Sequence, residues 1–160
     1  LKNFGIHGPD DVIAIGGNAK LDEFRAAMGI CNLRRMDVCL QKRKAVYEKY
    51  YERLNNVEGI KISSIQENIC PNYAYFPVYF NKEIFGKDRN EIFSMLREHG
   101  IYTRKYFYPA VNDMKCYKEE YKNSYTPVAR DVSLNILALP MYEELALSDV
   151  DRVCDLILKK

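Results

Sequence analysis

Hydrophobic positions in the first third of the chain recur at helical steps. Leu21, Phe24, Met28 and Cys31 are three or four residues apart, and Leu40, Val46 or Tyr47, Tyr50 and Leu54 continue the stripe. This period predicts one long amphipathic helix over 18–56. Asp22 and Glu23 stand in its first turn, where negative charge complements the helix dipole. Gly29, inside the helix, costs about 1 kcal/mol relative to alanine, which points to close packing or a bend there. The pattern then changes. "VEGIKISSI" turns at Gly59 into a short strand, and "YAYFPVYF" (73–80) reads as a second. Pro77 in the latter suggests an edge or a bulge, because proline has no amide to give a ladder.

The remaining elements carry their boundaries in the sequence. "HGPDD" is a turn ahead of the long helix. Asp88 and Glu91 fit a capping box, and the helix "RNEIFSMLREH" stops at Gly100. "IYTRKYFYP" alternates aromatic and polar residues as a strand would, Thr126 and Pro127 open another helix, and "ILALP" is a short apolar strand. Ser148 and Asp149 are expected to cap a last helix with Val150, Val153, Cys154 and Ile157 on one face. The predicted class is α+β: a long N-terminal helix followed by a small, mainly antiparallel sheet with helices on one face. The chain divides accordingly into 1–17, a loop; 18–56, the helix; and 57–160, a small α+β domain.

Composition narrows the functional classes. A chain of 160 residues can bury about two thirds of its unfolded surface, so a real core is possible. No apolar run approaches the roughly 20 residues of a membrane span. The 24 basic and 22 acidic residues are mixed along the chain, which leaves no electrostatic footprint for nucleic acid. Cys31, Cys39, Cys70, Cys116 and Cys154 are odd in number, scattered and without a Cys-x-x-Cys pair, and only His7 and His99 could assist them as ligands. They read as reduced, mostly buried thiols of a cytoplasmic protein, with no metal site. His7 reads as a loop residue and His99 as a cation near a helix C-terminus. No Ser/His/Asp set, Walker loop or paired-carboxylate pattern can be assembled. The chain opens at Leu1 without a secretion signal, and is expected to be a piece of something longer.

Two stretches carry candidate chemistry, each with two readings. In "GGNAKLDE", Asn18 is an ordinary N-cap, or the exposed amides, the positive end of the helix, the Asn18 amide and Lys20 together form an anion site suited to phosphate. In "YTRKYFYP", the aromatic residues pack a core while Arg104 and Lys105 are solvated, or the strand ends at a pocket where Arg104 and the hydroxyls of Tyr106 and Tyr108 meet a polar, anionic ligand. Stacking on RNA is disfavoured, since the glycine-containing aromatic motif of an RNA-recognition strand is missing.

Taken in order, "LKNFGI", "GGNAKLDEFRAAMGICNLRRMD", "KRKAVYEKYYERL", "GIYTRKYFYPAVND", "PVARDVSLNILALPMYEEL" and "SDVDRVCDLI" resemble the carboxy-terminal part of the DegT/StrS family. These are pyridoxal-phosphate-dependent sugar-nucleotide aminotransferases of the aspartate-aminotransferase fold (fold type I). "RKYFYP" looks most like members that aminate a 4-keto-6-deoxyhexose on a deoxythymidine-diphosphate carrier, in deoxyamino-sugar biosynthesis. The resemblance implies that an internal lysine holds the cofactor as a Schiff base, that glutamate leaves its amino group on the cofactor, and that the amine is then passed to the ketone carbon of the sugar nucleotide. That lysine belongs to a large amino-terminal domain, so the resemblance implies no catalytic residue in this chain and no activity for it alone. It further implies a homodimer with shared active sites, in which 1–17 forms a cross-subunit loop and the end of the large domain. Asn18 then binds the cofactor phosphate of the neighbouring subunit, where bare Gly16 and Gly17 permit a close approach. Lys20, Arg104, Tyr106 and Tyr108 are implied on the substrate side. Tyr106 falls where many relatives have histidine. The alternative, from another class, is a free-standing, non-catalytic ligand-binding or regulatory domain of the same shape.

Overall fold

The computed structural model describes residues 3–19, 21–117, 119–121 and 123–159. The chain divides into two compact units, Leu1–Val38 and Cys39–Lys160.

In the first unit, β1 (Ile6–Gly8) and β2 (Asp11–Val12) form a two-stranded antiparallel ribbon. The turn between them is pinned by the His7 ring and the Asp11 carboxylate, 3.1 Å apart. On the far side of the ribbon the chain crosses itself. The amide of Phe4 donates to the Gly17 carbonyl and that of Ile13 to the Gly5 carbonyl, both at 3.1 Å, and Asn3 and Asn18 form a backbone bridge. Gly5 makes the crossing possible: its φ is +77°, and a Cβ there would stand 1.8 Å from the Ala14 carbonyl oxygen.

The long helix α1 (Glu23–Leu54) begins later than its period suggests. Its cap is Asp22, whose carboxylate accepts the Arg25 amide at 2.9 Å. Asn18 is not the N-cap, because its backbone is committed to the bridge with Asn3. Gly29 does not show the close packing expected of it, since an added Cβ would find nothing within 4 Å.

The second unit is built on a three-stranded antiparallel sheet of order β3 (Ile60–Ile62), β4 (Phe76–Phe80), β5 (Ile136–Leu139). Along β4, Phe76, Val78 and Phe80 are fully buried while Pro77 and Tyr79 are half-buried, the period of two expected of a strand with one core face. Against that face pack Val46, Tyr50 and Leu54 from the end of α1, Ile92 and Leu96 from α3 (Arg89–Glu98), and Val150, Val153, Cys154 and Ile157 from α5 (Leu147–Leu158). Arg53 fastens α1 to α5 through Asp151 at 2.5 Å and Asp155 at 2.6 Å.

Pro77 lies on the central strand, not at an edge. Its partner across the ladder is Ala138, whose amide and carbonyl are both bonded to Arg104, and β3 ends opposite Val78. No ladder bond needs the amide that proline lacks. After a single-turn helix α2 (Lys82–Phe85), α3 opens with the expected capping box: the Asp88 carboxylate accepts the Glu91 amide at 2.9 Å, and the Glu91 side chain accepts the Asp88 amide at 2.6 Å. Gly100, at φ +76°, follows its last turn. Helix α4 (Pro127–Asn135) carries proline in its first turn, and its Asp131 accepts the Tyr79 hydroxyl at 3.0 Å. The last helix begins one residue before Ser148, and its cap, Ala146, offers no side-chain bond.

"IYTRKYFYP" departs from a regular strand. It touches the sheet at one bridge, Arg104 to Ala138, and then turns, with the Tyr106 amide donating to the Arg104 carbonyl at 3.0 Å. That local bond peels the chain off β5 just where the candidate residues begin. Among the described residues no helix is long and apolar enough to cross a membrane.

Candidate functional site in two parts

The first part is the crossing loop. Asn18 is exposed, and its side-chain amide has no hydrogen-bond partner among the described residues. At Gly17 an added Cβ would meet nothing within 4 Å, so nothing inside the chain requires a glycine there. An outward-facing amide next to unobstructed backbone suits an acceptor brought from outside the chain, and a phosphate fits that chemistry. Lys20 lies outside the described residues.

The second part is a cavity of about 190 Å³ in the second unit. Tyr75, Tyr102, Arg104 and Tyr106 supply its polar groups, and Leu139, Pro140 and Met141 its apolar wall. Arg104 is held by paired backbone bonds with Ala138, 2.8 and 3.1 Å. Its guanidinium donates to the Tyr106 hydroxyl. The Tyr106 ring stands edge-on to Tyr75, centroids 5.6 Å apart, and stacks on Phe107 at 4.8 Å. These contacts fix the hydroxyl from three sides.

Electrostatically the cavity is one-sided. No carboxylate lines it, and Arg104 has no acidic partner among the described residues. The Tyr106 hydroxyl accepts from Arg104 and so keeps its own proton to give. Arg104 retains further N–H groups, so the pair presents several donors and one full positive charge beside an apolar wall. Such a lining suits a ligand with oxygen acceptors and negative charge.

Tyr108, grouped with Arg104 and Tyr106 by sequence, does not line the cavity. The chain turns at Tyr106 and Phe107, and the Tyr108 ring lies against the Arg89 guanidinium, 5.0 Å from its centroid. Tyr75 and Tyr102 were missed by sequence reasoning. Both stand in aromatic runs, "YAYF" and "IYTRKY", whose propensity signals strand and is silent about pockets. The thiol of Cys154 is buried and pushed up to about 12, mainly by desolvation, which makes it an inert core residue. Cys31, Cys70 and Cys116 are exposed instead of buried, and none of the five is joined in a disulfide. His99 sits where expected, past the end of α3, its Nδ1 2.8 Å from the Met95 carbonyl oxygen.

Comparison with known proteins gives these two parts a context. A family model described as the DegT/DnrJ/EryC1/StrS aminotransferase family matches residues 1–158. The chain is 34% identical over 162 residues to the dTDP-4-amino-4,6-dideoxy-D-glucose transaminase of Escherichia coli, an alignment covering 100% of this chain and 43% of that protein. It is 33% identical to the Shigella dysenteriae protein of the same name, covering 94% of this chain and 40% of the relative. Among solved structures, S. venezuelae DesV in complex with a ketimine intermediate superposes with a TM-score of 0.87 at 25% identity, over 99% of this chain and 42% of the neighbour. DesI with its TDP-sugar product superposes with a TM-score of 0.83 at 25% identity, over 99% of this chain and 41% of the neighbour. The chain thus spans less than half the length of the curated relatives it matches. It is a member of the DegT/DnrJ/EryC1/StrS aminotransferase family and corresponds to part of such an enzyme.

Proposed function

We propose that this chain is the carboxy-terminal part of a cytoplasmic, pyridoxal-phosphate-dependent aminotransferase that moves an amino group from glutamate to a keto-sugar nucleotide, a dTDP-4-keto-6-deoxyhexose in the first instance. The observation that carries this reading is the donor-rich cavity at Arg104 and Tyr106, without a carboxylate, in a chain of this family. When bound, pyridoxal phosphate supplies the carbonyl and the electron sink of amino transfer. The residues of this chain bind and orient. The Asn18 amide donates to the cofactor phosphate of a neighbouring subunit, Arg104 attracts the charged nucleotide sugar, and the Tyr106 hydroxyl directs a proton at a sugar oxygen. Apolar Leu139 and Met141 keep water from one side of the ligand. The lysine that carries the cofactor belongs to the preceding domain of the relatives, and Lys20 does not substitute for it.

A homodimer is part of the proposal, because the Asn18 side chain has no hydrogen-bond partner among the described residues and the first unit exposes Leu21, Phe24 and Met28. The decisive experiment compares the 160-residue chain with the complete polypeptide, each mixed with pyridoxal phosphate, glutamate and dTDP-4-keto-6-deoxyglucose. Amine product is expected from the complete polypeptide alone. Turnover by the chain itself would overturn the division of labour, and a complete polypeptide that binds the nucleotide sugar without aminating it would favour a non-catalytic ligand-binding protein.

A further inference from the structure

Arg89 is the largest side chain in the buried interior, 2% exposed, and it makes no direct ion pair among the described residues, the charge of neighbouring Asp88 acting on it only from a distance. Desolvation pushes its pKa below the ordinary guanidinium value, and its Nε has no hydrogen-bond partner. A buried cation without a direct ion pair is a poor way to fill a core, because an apolar residue of similar volume is often neutral or better for stability.

Its contacts indicate a geometric task instead. One Nη donates to the carbonyls of Ser133 and Ile136, both at 3.2 Å, where α4 hands over to β5. The Cζ of the same guanidinium lies over the Tyr108 ring, 5.0 Å from its centroid. Around it the segment is fastened at further points: Ser133 Oγ donates to the Phe107 carbonyl at 2.9 Å, and Lys105 Nζ reaches Asn90 Oδ1 at 2.5 Å while standing 4.5 Å from the Phe93 centroid. Arg89 and Asn90 are consecutive residues at the capped start of α3, so one rigid helix end grips residues 105 and 108 on either side of Tyr106.

We propose that Arg89 is a positioning residue for the ligand cavity: its guanidinium, bonded to the α4–β5 junction and lying over the Tyr108 ring, fixes the Arg104–Pro109 segment and with it the Tyr106 hydroxyl. Lysine cannot do both, since an ammonium can donate to the two carbonyls but brings no extended planar group to lie over the Tyr108 ring. The effect on ligand binding rests on the function proposed above, whereas the effect on Tyr106 does not.

The test separates the two. The chain is labelled with 3-fluorotyrosine, and the Tyr106 resonance is assigned by its loss in Tyr106→Phe. In Arg89→Lys and in Tyr108→Leu this resonance is expected to move or broaden, while that of core Tyr50 stays in place. Tyr108 is half exposed, so its replacement does not threaten folding and decides the matter if Arg89→Lys fails to fold. A Tyr106 resonance that stays put in the folded variants overturns the proposal and leaves Arg89 a plain prop for α4. In the complete enzyme, KM for the nucleotide sugar is expected to rise about fivefold in both variants, with the smaller share of the loss in kcat. If Tyr106→Phe raises KM and these variants do not, the positioning role is wrong. If Tyr106→Phe itself leaves KM unchanged, the assumed ligand contact fails while the fluorine result still decides the role of Arg89.

Discussion

The two units of this chain use the same hydrophobic residue types to opposite effect. In Leu1–Val38, Phe24 is 89% exposed, Leu21 70%, Leu33 67% and Met28 65%. In Cys39–Lys160, Val46, Tyr50, Leu54, Phe76 and Leu96 are all at or below 2%. A single helix, α1, carries members of both sets, Phe24, Met28 and Leu33 of the first and Val46, Tyr50 and Leu54 of the second, at similar spacing. The difference teaches that periodicity reports which face of a helix wants to leave water, and says nothing about whether the surface that receives it belongs to the same chain. An apolar face this exposed supports the dimer proposed above.

The sharpest way to break that comparison is to truncate one phenylalanine in each unit. Phe76→Ala removes a fully buried ring that stacks on Tyr50 at 4.9 Å, and should cost about 3–5 kcal/mol in urea unfolding of the chain. Phe24→Ala should change stability by less than about 0.5 kcal/mol. Comparable losses at the two positions would mean that the first unit has a core of its own.

The next effect concerns the crossing loop, where a site contact and a cap make different demands. Because Asp22 caps α1, Asn18→Asp should leave the unfolding midpoint unchanged. In the complete enzyme a carboxylate opposite the phosphate replaces a donated hydrogen bond with repulsion, and cofactor affinity should fall by about 2 kcal/mol, read by titration with pyridoxal phosphate. Mixing Asn18→Asp subunits with subunits lacking the cofactor-bearing lysine should restore activity, since only hybrid dimers pair an intact lysine with an intact Asn18. Unchanged cofactor affinity in Asn18→Asp would remove this residue from the site.

The smallest effect belongs to the second unit and depends on pH. Hydrogen bonds from the Glu91 amide, and then from Lys82, hold the Asp88 carboxyl below the usual carboxylate range. A depressed native pKa stabilises the fold above the ordinary carboxylate value, and that contribution is lost as pH falls through the native one. Asp88→Ala should therefore cost about 1 kcal/mol at pH 7 and progressively less toward pH 3, measured by denaturant unfolding across that range. A penalty that does not diminish in acid would show that the charge of Asp88 is not what matters.

Local chemistry was legible wherever it acts between near neighbours. The capping box of α3, Gly100 past its end, Pro127 at the start of α4 and the apolar face of α5 all follow from interactions spanning a few residues, and the structure has them. Asn18 shows where that logic fails. Its capping propensity is real, but a backbone bridge to Asn3, made possible by Gly5, competes for the same residue and moves the helix start to Glu23. Pro77 is similar: its propensity says edge, and only the pairing of Ala138 with Arg104 shows that its missing amide is not needed.

By itself, then, the sequence determined the α+β class, the long helix and most helix ends, because helical period and capping are written in adjacent residues, and it offered the Arg104–Tyr106 part of the cavity as one of two readings. Tertiary structure decided that Tyr108 turns away to Arg89, that Tyr75 and Tyr102 join the cavity, and that the apolar stripe of α1 is covered at Tyr50 and bare at Phe24. Each of these depends on which distant segments meet, and the free energy of such a meeting resides in surfaces that no local pattern describes.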